Sequence, residues 1–238
     1  MSRPTPVRRK TPRPYRIVHE DRHLLVIDKD PGVLSVPIPG KRSRNLQELL
    51  DRYLESQKRD ALPVHRIDRY TSGLVVFAKH PKAREDLVRQ FRARTPERVY
   101  QALVRGTVAA DSGTLRHSLE LTTDGFRQQV AREGGTPAVT HYRVLERLPG
   151  ATLLEVRLES GLKNQIRVQF RAAGHPLVGD RHYSHAEKSE EVLGRQALHA
   201  WQLAFLHPDS GHPVRFEAPL PADFERALRR LRSRPKRA

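Results

Sequence analysis

The stretch His65-Arg66-Ile67-Asp68-Arg69-Tyr70-Thr71-Ser72-Gly73 sets one carboxylate between two arginines on a polar run that ends in glycine. The apolar segment Leu74-Val75-Val76-Phe77-Ala78 follows at once and reads as a buried strand. A loop fastened to such a strand is a common place for catalytic groups, because the strand fixes what the loop presents. An aspartate kept ionised by neighbouring guanidinium groups can attack as a nucleophile or remove a proton. The same spacing also fits a surface salt bridge, so the rest of the chain has to decide.

Two further segments bring reactive or binding groups. Gly161-Leu162-Lys163-Asn164-Gln165-Ile166-Arg167-Val168 crowds polar and cationic side chains at the start of a helix, where backbone N–H groups also point outward. From there Arg167 can reach across to a carboxylate and hold it through two parallel bonds. Tyr100 puts a ring and a hydroxyl on a segment that alternates like a half-exposed strand, either as a base-stacking surface or at the rim of the core. Other chemistries are poorly served. The chain has no cysteine, which excludes disulfides, thiolate nucleophiles and Cys-ligated zinc. His182 and His185 have i, i+3 spacing, but no third ligand stands beside them, and no metal site is expected. Asp60 lies before Pro63 and Asp86 on the next helix, so the local acid pair of a glycosidase is missing.

The elements that must position these groups can be read from periodicity. Ile17–Asp21 and Leu24–Asp28 suggest a strand pair, and Asn45 caps a helix whose leucines run from Leu46 to Leu54. Pro81 opens a helix to Arg94, Arg98–Gly106 is a strand, and 114–129 reads as hairpins and loops. Thr140–Leu145 and Ala151–Leu158 make a hairpin across Pro149-Gly150. A helix over Asn164–Ala173 stops at Gly174, a strand covers Leu198–Phe205, and Ala222–Leu231 is a terminal helix. Many strands with few helices and no strict βαβ alternation predict an α+β fold, with a mixed, mostly antiparallel central sheet and flanking helices.

Charge is distributed unevenly along the 238 residues. The net charge is +17, of which residues 1–16 and 226–238 carry +13 with no acid, leaving +4 for residues 17–225. These blocks read as a basic Pro/Arg-rich arm and a basic tail around one central domain, and such arms bind polyanions through phosphate charge. No stretch approaches the roughly 18 apolar residues of a membrane span. The N-terminus has no apolar signal-peptide core. A monomer in the cytoplasm is expected.

Taken together, these segments resemble the RluA-type pseudouridine synthases from Val18 to Pro221. Glu20-Asp21 through Lys29-Asp30-Pro31-Gly32 is similar to the opening segment, His65–Lys79 to the aspartate motif, and Arg98–Val104 to the tyrosine motif. Gly161–Val168 is similar to the arginine helix, with Gly174–Tyr183, Leu198-His199-Ala200, His207-Pro208 and Ala218–Pro221 following in order. The resemblance implies the pseudouridine synthase fold and isomerisation of uridine to pseudouridine in structured RNA, a ribosomal large-subunit or tRNA stem-loop. It makes Asp68 the catalytic carboxylate, has Tyr100 stack on the uracil, and pairs Arg167 with Asp68. Arg66 would fill the space of the extruded nucleotide, and Arg69, Thr71, Lys163, Asn164 and Ile166 would bind substrate. No metal or organic cofactor is implied.

Departures from the pattern are Asn164 where a histidine is usual, Tyr70 where an acid is common, and Asp30 where proline is common. They keep open a second reading, an RNA-binding or ribosome-assembly protein on the same fold with weak or no activity. A nucleoside- or carbohydrate-processing hydrolase using Asp68 is a third.

Overall fold

The computed structural model describes residues 13–40, 43–123, 125, 127–184 and 192–235. Most of the N-terminal arm, His185 and the last three residues of the tail lie outside them.

Eleven strands form one sheet. In chain order they are β1 (Tyr15–Glu20), β2 (Leu24–Lys29), β3 (Leu62–Pro63), β4 (Ser72–Ala78), β5 (Glu97–Arg105) and β6 (Ser112–Leu121). β7 (Gln128–Val130), β8 (Thr136–Leu148), β9 (Ala151–Leu158), β10 (Leu198–Leu206) and β11 (Pro213–Glu217) complete it. The strand order is β1-β2-β4-β10-β5-β9-β8-β6-β7, with β11 added to β10 and β3 to β4. Only the β4–β10 pair among them is parallel. Among the described residues the four α-helices are α1 (Leu46–Leu54), α2 (Pro81–Arg92), α3 (Gln165–Ala172) and α4 (Ala222–Arg232).

The helices cover both faces of the sheet. Along β2 and β4 the side chains alternate, so Leu25, Ile27, Val75 and Phe77 join Leu46, Leu50 and Leu54 of α1 with Ile166 and Phe170 of α3. Leu24, Val26, Leu74, Val76 and Ala78 join Ala83 and Leu87 of α2. Local chemistry starts and stops the helices as expected. The Asn45 side chain accepts the Glu48 N–H at 3.0 Å. Past α3, Gly174 takes φ +81° and the His175 N–H closes on the Phe170 carbonyl at 2.8 Å.

Three expectations change. β5 lies between β10 and β9 inside the sheet, so Tyr100 is only 8% exposed rather than half-exposed. β11, half-exposed at an edge, goes unnoticed in the sequence. Residues 226–232 of the expected tail belong to α4, whose Phe224, Ala227, Leu228 and Leu231 fall at i, i+3, i+4 and i+7 and are buried.

Beyond its pairing with β2, β4 has two further partners. Its start pairs with β10 at Ser72 and Gly73, and its end with β3 at Phe77 and Ala78. Between those pairings the Val76 N–H donates to His65 Nε2 at 3.1 Å, so an imidazole supplies the acceptor that neither strand provides. This fork is where the chain leaves β3, passes Asp68 and enters β4. Gly73 makes the entry possible: its φ is +107°, and a Cβ there would sit 2.2 Å from the Ala200 carbonyl oxygen.

Candidate active site

The loop carrying Asp68 is fastened to the turn after β2 at four points. The Ser35 hydroxyl donates to the Ile67 carbonyl at 2.8 Å and accepts the Ile67 N–H at 3.2 Å. The Arg69 carbonyl accepts the Gly32 N–H at 2.8 Å and Lys29 Nζ at 3.1 Å. Lys29 is fully buried, and among the described residues its ammonium donates only to the carbonyls of Asp30, Val33 and Arg69. Burial, with Arg195 adding to it, brings its pKa down to about 7. The loop is therefore held through its own backbone by Ser35, Lys29 and Gly32, which leaves the Asp68 side chain free for other work.

That side chain meets two donors from the start of α3. Asn164 Nδ2 donates to Oδ2 at 2.6 Å and Arg167 Nη1 to the same oxygen at 3.0 Å. Among the described hydrogen bonds none reaches Oδ1, so one carboxylate oxygen is held and the other is open to a ligand. Asn164 does this from a left-handed backbone, φ +55°, a conformation asparagine tolerates better than most residues. Its neighbour Gln165 anchors the turn, accepting from Ser160 Oγ and the Leu162 N–H, both at 3.0 Å, and donating to Thr140 Oγ1 at 2.9 Å.

Arg167 makes its two parallel bonds elsewhere than on Asp68. Nε donates to Asp180 Oδ2 at 2.6 Å and Nη2 to Asp180 Oδ1 at 2.9 Å. The guanidinium also lies 4.9 Å from the Tyr183 ring centroid. Both carboxylates raise the Arg167 pKa against the opposing effect of its burial, so it stays a cation. Asp180 is completely buried and also accepts the N–H groups of His182 and Tyr183. Sequence reading passed over it. The available signal was an acid directly after the apolar run Leu177-Val178-Gly179, a place where an unpaired charge is costly.

A pocket of about 530 Å³, well within the range for small ligands, opens beside these groups. Asp68 is the one acid among its lining residues, whereas Arg66, Arg92, Arg94, Arg98, Lys163 and Arg167 are cations. Tyr100, Ile166, Leu158, Phe91 and Leu198 supply apolar wall. Of the residues expected to bind substrate, Arg66, Thr71, Lys163, Asn164 and Ile166 line the pocket. Arg69 does not, because Nε is engaged by the Gly32 carbonyl at 2.8 Å and its guanidinium packs on Tyr70. Burial pushes the Tyr100 hydroxyl pKa up, and the Asp68 charge pushes the same way against Arg98. Tyr100 is therefore a neutral phenol at ordinary pH. Among the described residues no group of three or more His, Cys, Asp or Glu could hold a metal ion.

His65 has to be neutral to accept the Val76 N–H, and burial, aided by Arg98, lowers its pKa to about 3. His199, fully buried between Ser72 Oγ and the Ala218 carbonyl, is lowered to about 4, mainly by burial. In the unfolded chain both protonate near pH 6.5, so between about pH 4 and 6.5 the unfolded state binds more protons and stability rises with pH. Urea unfolding is expected to lose about 2 kcal/mol per histidine between pH 7.5 and pH 5. His65→Gln should remove roughly half of that pH dependence. An unfolding free energy flat across this window would show that these imidazoles are not held neutral.

An aspartate with one open carboxylate oxygen, an arginine fixed behind it and a cation-lined pocket together make a site suited to carboxylate chemistry on a polyanion. The sequence profile of the RNA pseudouridylate synthases matches residues 23–172. The chain is 40% identical over 93% of its length to ribosomal large subunit pseudouridine synthase D of Nitrosomonas europaea. It is 38% identical over 91% of its length to an uncharacterised RNA pseudouridine synthase of Bacillus subtilis. It spans 67% of the Nitrosomonas protein and 61% of the similarly named one of Neisseria meningitidis serogroup B. Human RNA pseudouridylate synthase domain containing 4 superimposes with a TM-score of 0.74 at 24% identity, covering 91% of this chain and 92% of that one, which matches the fold. The chain belongs to the RNA pseudouridylate synthase family, whose enzymes isomerise uridine in RNA.

Proposed function

We propose that this protein converts a uridine of large-subunit ribosomal RNA to pseudouridine, with Asp68 as the catalytic carboxylate. The observation that carries this reading is the half-engaged carboxylate: Oδ2 takes two donors and Oδ1 takes none among the described residues. The N1–C1′ bond of the uridine breaks, the uracil turns, its C5 bonds to C1′, the C5 proton is released and N1 takes one up, so the product is an isomer. Asp68 contributes either as the nucleophile at C1′ or as the base that takes a ribose proton, and both need an ionised oxygen facing the sugar. Arg167, itself held by Asp180, keeps that carboxylate oriented.

Tyr100 offers its ring to the uracil and a neutral hydroxyl to the atoms around C5. Reaching these atoms requires the nucleotide to be flipped out of its stack, at a cost of a few kcal/mol that stacking and phosphate contacts can offset. Arg66, exposed at the pocket, fills the space the uridine leaves in this reading. The ribosomal assignment follows the names carried by the Nitrosomonas and Neisseria relatives, and it has the protein working in the cytoplasm.

The test is release of tritium from C5-labelled uridine in protein-free large-subunit ribosomal RNA, with labelled tRNA in parallel. Stoichiometric release from the ribosomal RNA, with the base retained in the polymer, is the expected result. Free uracil in solution would identify a hydrolase, release from tRNA alone would move the substrate, and no release from either would leave an RNA-binding protein.

A further inference from the structure

Four arginines on the strands of the sheet have ion partners. Arg143 pairs with Glu155, Arg147 with Asp111, Arg157 and Arg215 with Glu97. The pocket wall built from the end of α2 and the start of β5 differs. Arg92, Arg94 and Arg98 all line it, and no ion pair among the described residues involves any of them.

Two local features show that the chain accommodates these guanidinium groups at its own expense. Arg94 sits just past the C-cap of α2 with φ +60°, in a turn closed by its N–H to the Phe91 carbonyl and by the Thr95 N–H to the Gln90 carbonyl, both at 3.2 Å. This turn favours glycine, because a Cβ in the left-handed region is strained. A strained side chain at the rim of a pocket points to a function for that side chain. Arg98 is admitted by the opposite device. A Cβ on Gly161 would lie 2.2 Å from Arg98 Nη1, so glycine at 161 leaves the volume that the guanidinium occupies. There Nη2 donates to the Ser160 carbonyl at 3.3 Å, while Nε is buried without a partner.

Favourable interaction with the helix dipole does not account for Arg94. Arg89 and Arg92 already stand in the last turn of α2, where cations complement the dipole without entering a strained conformation.

We propose that Arg92, Arg94 and Arg98 form a phosphate-binding subsite that grips the RNA backbone beside the extruded uridine. Guanidinium forks match phosphate oxygens geometrically, and such contacts position a nucleic acid without reading its bases. The subsite rests on the pocket being the uridine site and adds to it a fixed register between backbone and Asp68.

Arg94→Gly gives the sharpest test, because glycine suits the backbone and folding is not at stake. The full-length protein is titrated with a stem-loop transcript of large-subunit ribosomal RNA bearing loop uridines, across a salt series. Loss of one phosphate contact should lower the slope of log affinity against log salt by about 0.7–0.9, equivalent to about five- to tenfold weaker binding near 0.1 M salt. The thermal midpoint should stay at or above that of the wild type. Lys82→Gln, which removes the same charge from the other end of α2, should change the slope by less than half as much. Methylphosphonates flanking the loop uridines should weaken wild-type binding and erase its advantage over Arg94→Gly. A slope in Arg94→Gly equal to that of Lys82→Gln, or a lowered midpoint with an unchanged slope, overturns the subsite. Pseudouridine formation by the wild type alongside that result would leave the functional reading standing. An Arg94-dependent slope in a chain that makes no pseudouridine would do the reverse.

Discussion

Asp68→Asn is expected to cut pseudouridine formation by at least about 10³-fold, or about 4 kcal/mol of transition-state stabilisation, with RNA affinity and thermal midpoint close to wild type. The amide has the shape of the carboxylate, and its oxygen can still accept from Asn164 and Arg167. Arg167 loses little, since its two parallel bonds go to Asp180. Only the chemistry disappears, because an amide neither attacks C1′ nor takes a ribose proton. Tritium release measures the loss, and filter binding with thermal melts on the same preparation measures what is kept. A variant retaining a tenth of the wild-type rate would remove Asp68 from the reaction. Indistinguishable traces from the two proteins would favour the binding-only reading that Asn164 and Tyr70 first kept open.

Asp68 was legible because its signal is local: a charged loop, a terminal glycine and a buried strand occur within fifteen residues. Tyr100 and Arg167 could be named, and the pairing of Arg167 with Asp68 was expected and is found, but their burial and the second pairing of Arg167, with Asp180, were not legible, since those depend on which strands flank β5 and on where the chain past α3 places Asp180. The contact of Arg167 with two carboxylates joins positions 68 and 180, and no periodicity in the sequence encodes that separation. His65 was quoted as part of a motif, yet its work of completing the ladder at Val76 exists only because β3 and β10 share one edge of β4. The C-terminal helix over Ala222–Leu231 was legible, but the domain limit drawn at Arg226 cut through it. Seven cations in thirteen residues dominate the composition, and the apolar stripe of α4 beneath them is only four residues wide.

Asp180 carries the second large prediction. Arg167 is 5% exposed and Asp180 fully buried, so deleting the carboxylate strands a guanidinium against a single partner. Breaking a buried pair from one side costs about 3–5 kcal/mol, and Asp180→Ala should lower the melting midpoint by roughly 10 °C in a domain of this size. Stability alone would be a structural result. The functional content lies in Asp180→Asn, which keeps the shape and the acceptor for the His182 and Tyr183 N–H groups while removing the charge. Arg167 is then pulled between a neutral amide and Asp68, and its natural move is toward a two-point grip on Asp68. That grip would occupy Oδ1, the oxygen the reaction needs. A displacement of about 1 Å at such a centre can cost about 10²-fold in rate. Asp180→Asn is therefore expected to fold, to bind RNA with little change and to lose about 10²-fold in kcat. Because Asp180 acts only through Asp68, adding it to Asp68→Asn should cost nothing further in rate. An additive loss in the double variant, or a drop confined to KM, would mean that Asp180 serves the fold and not the orientation of the carboxylate.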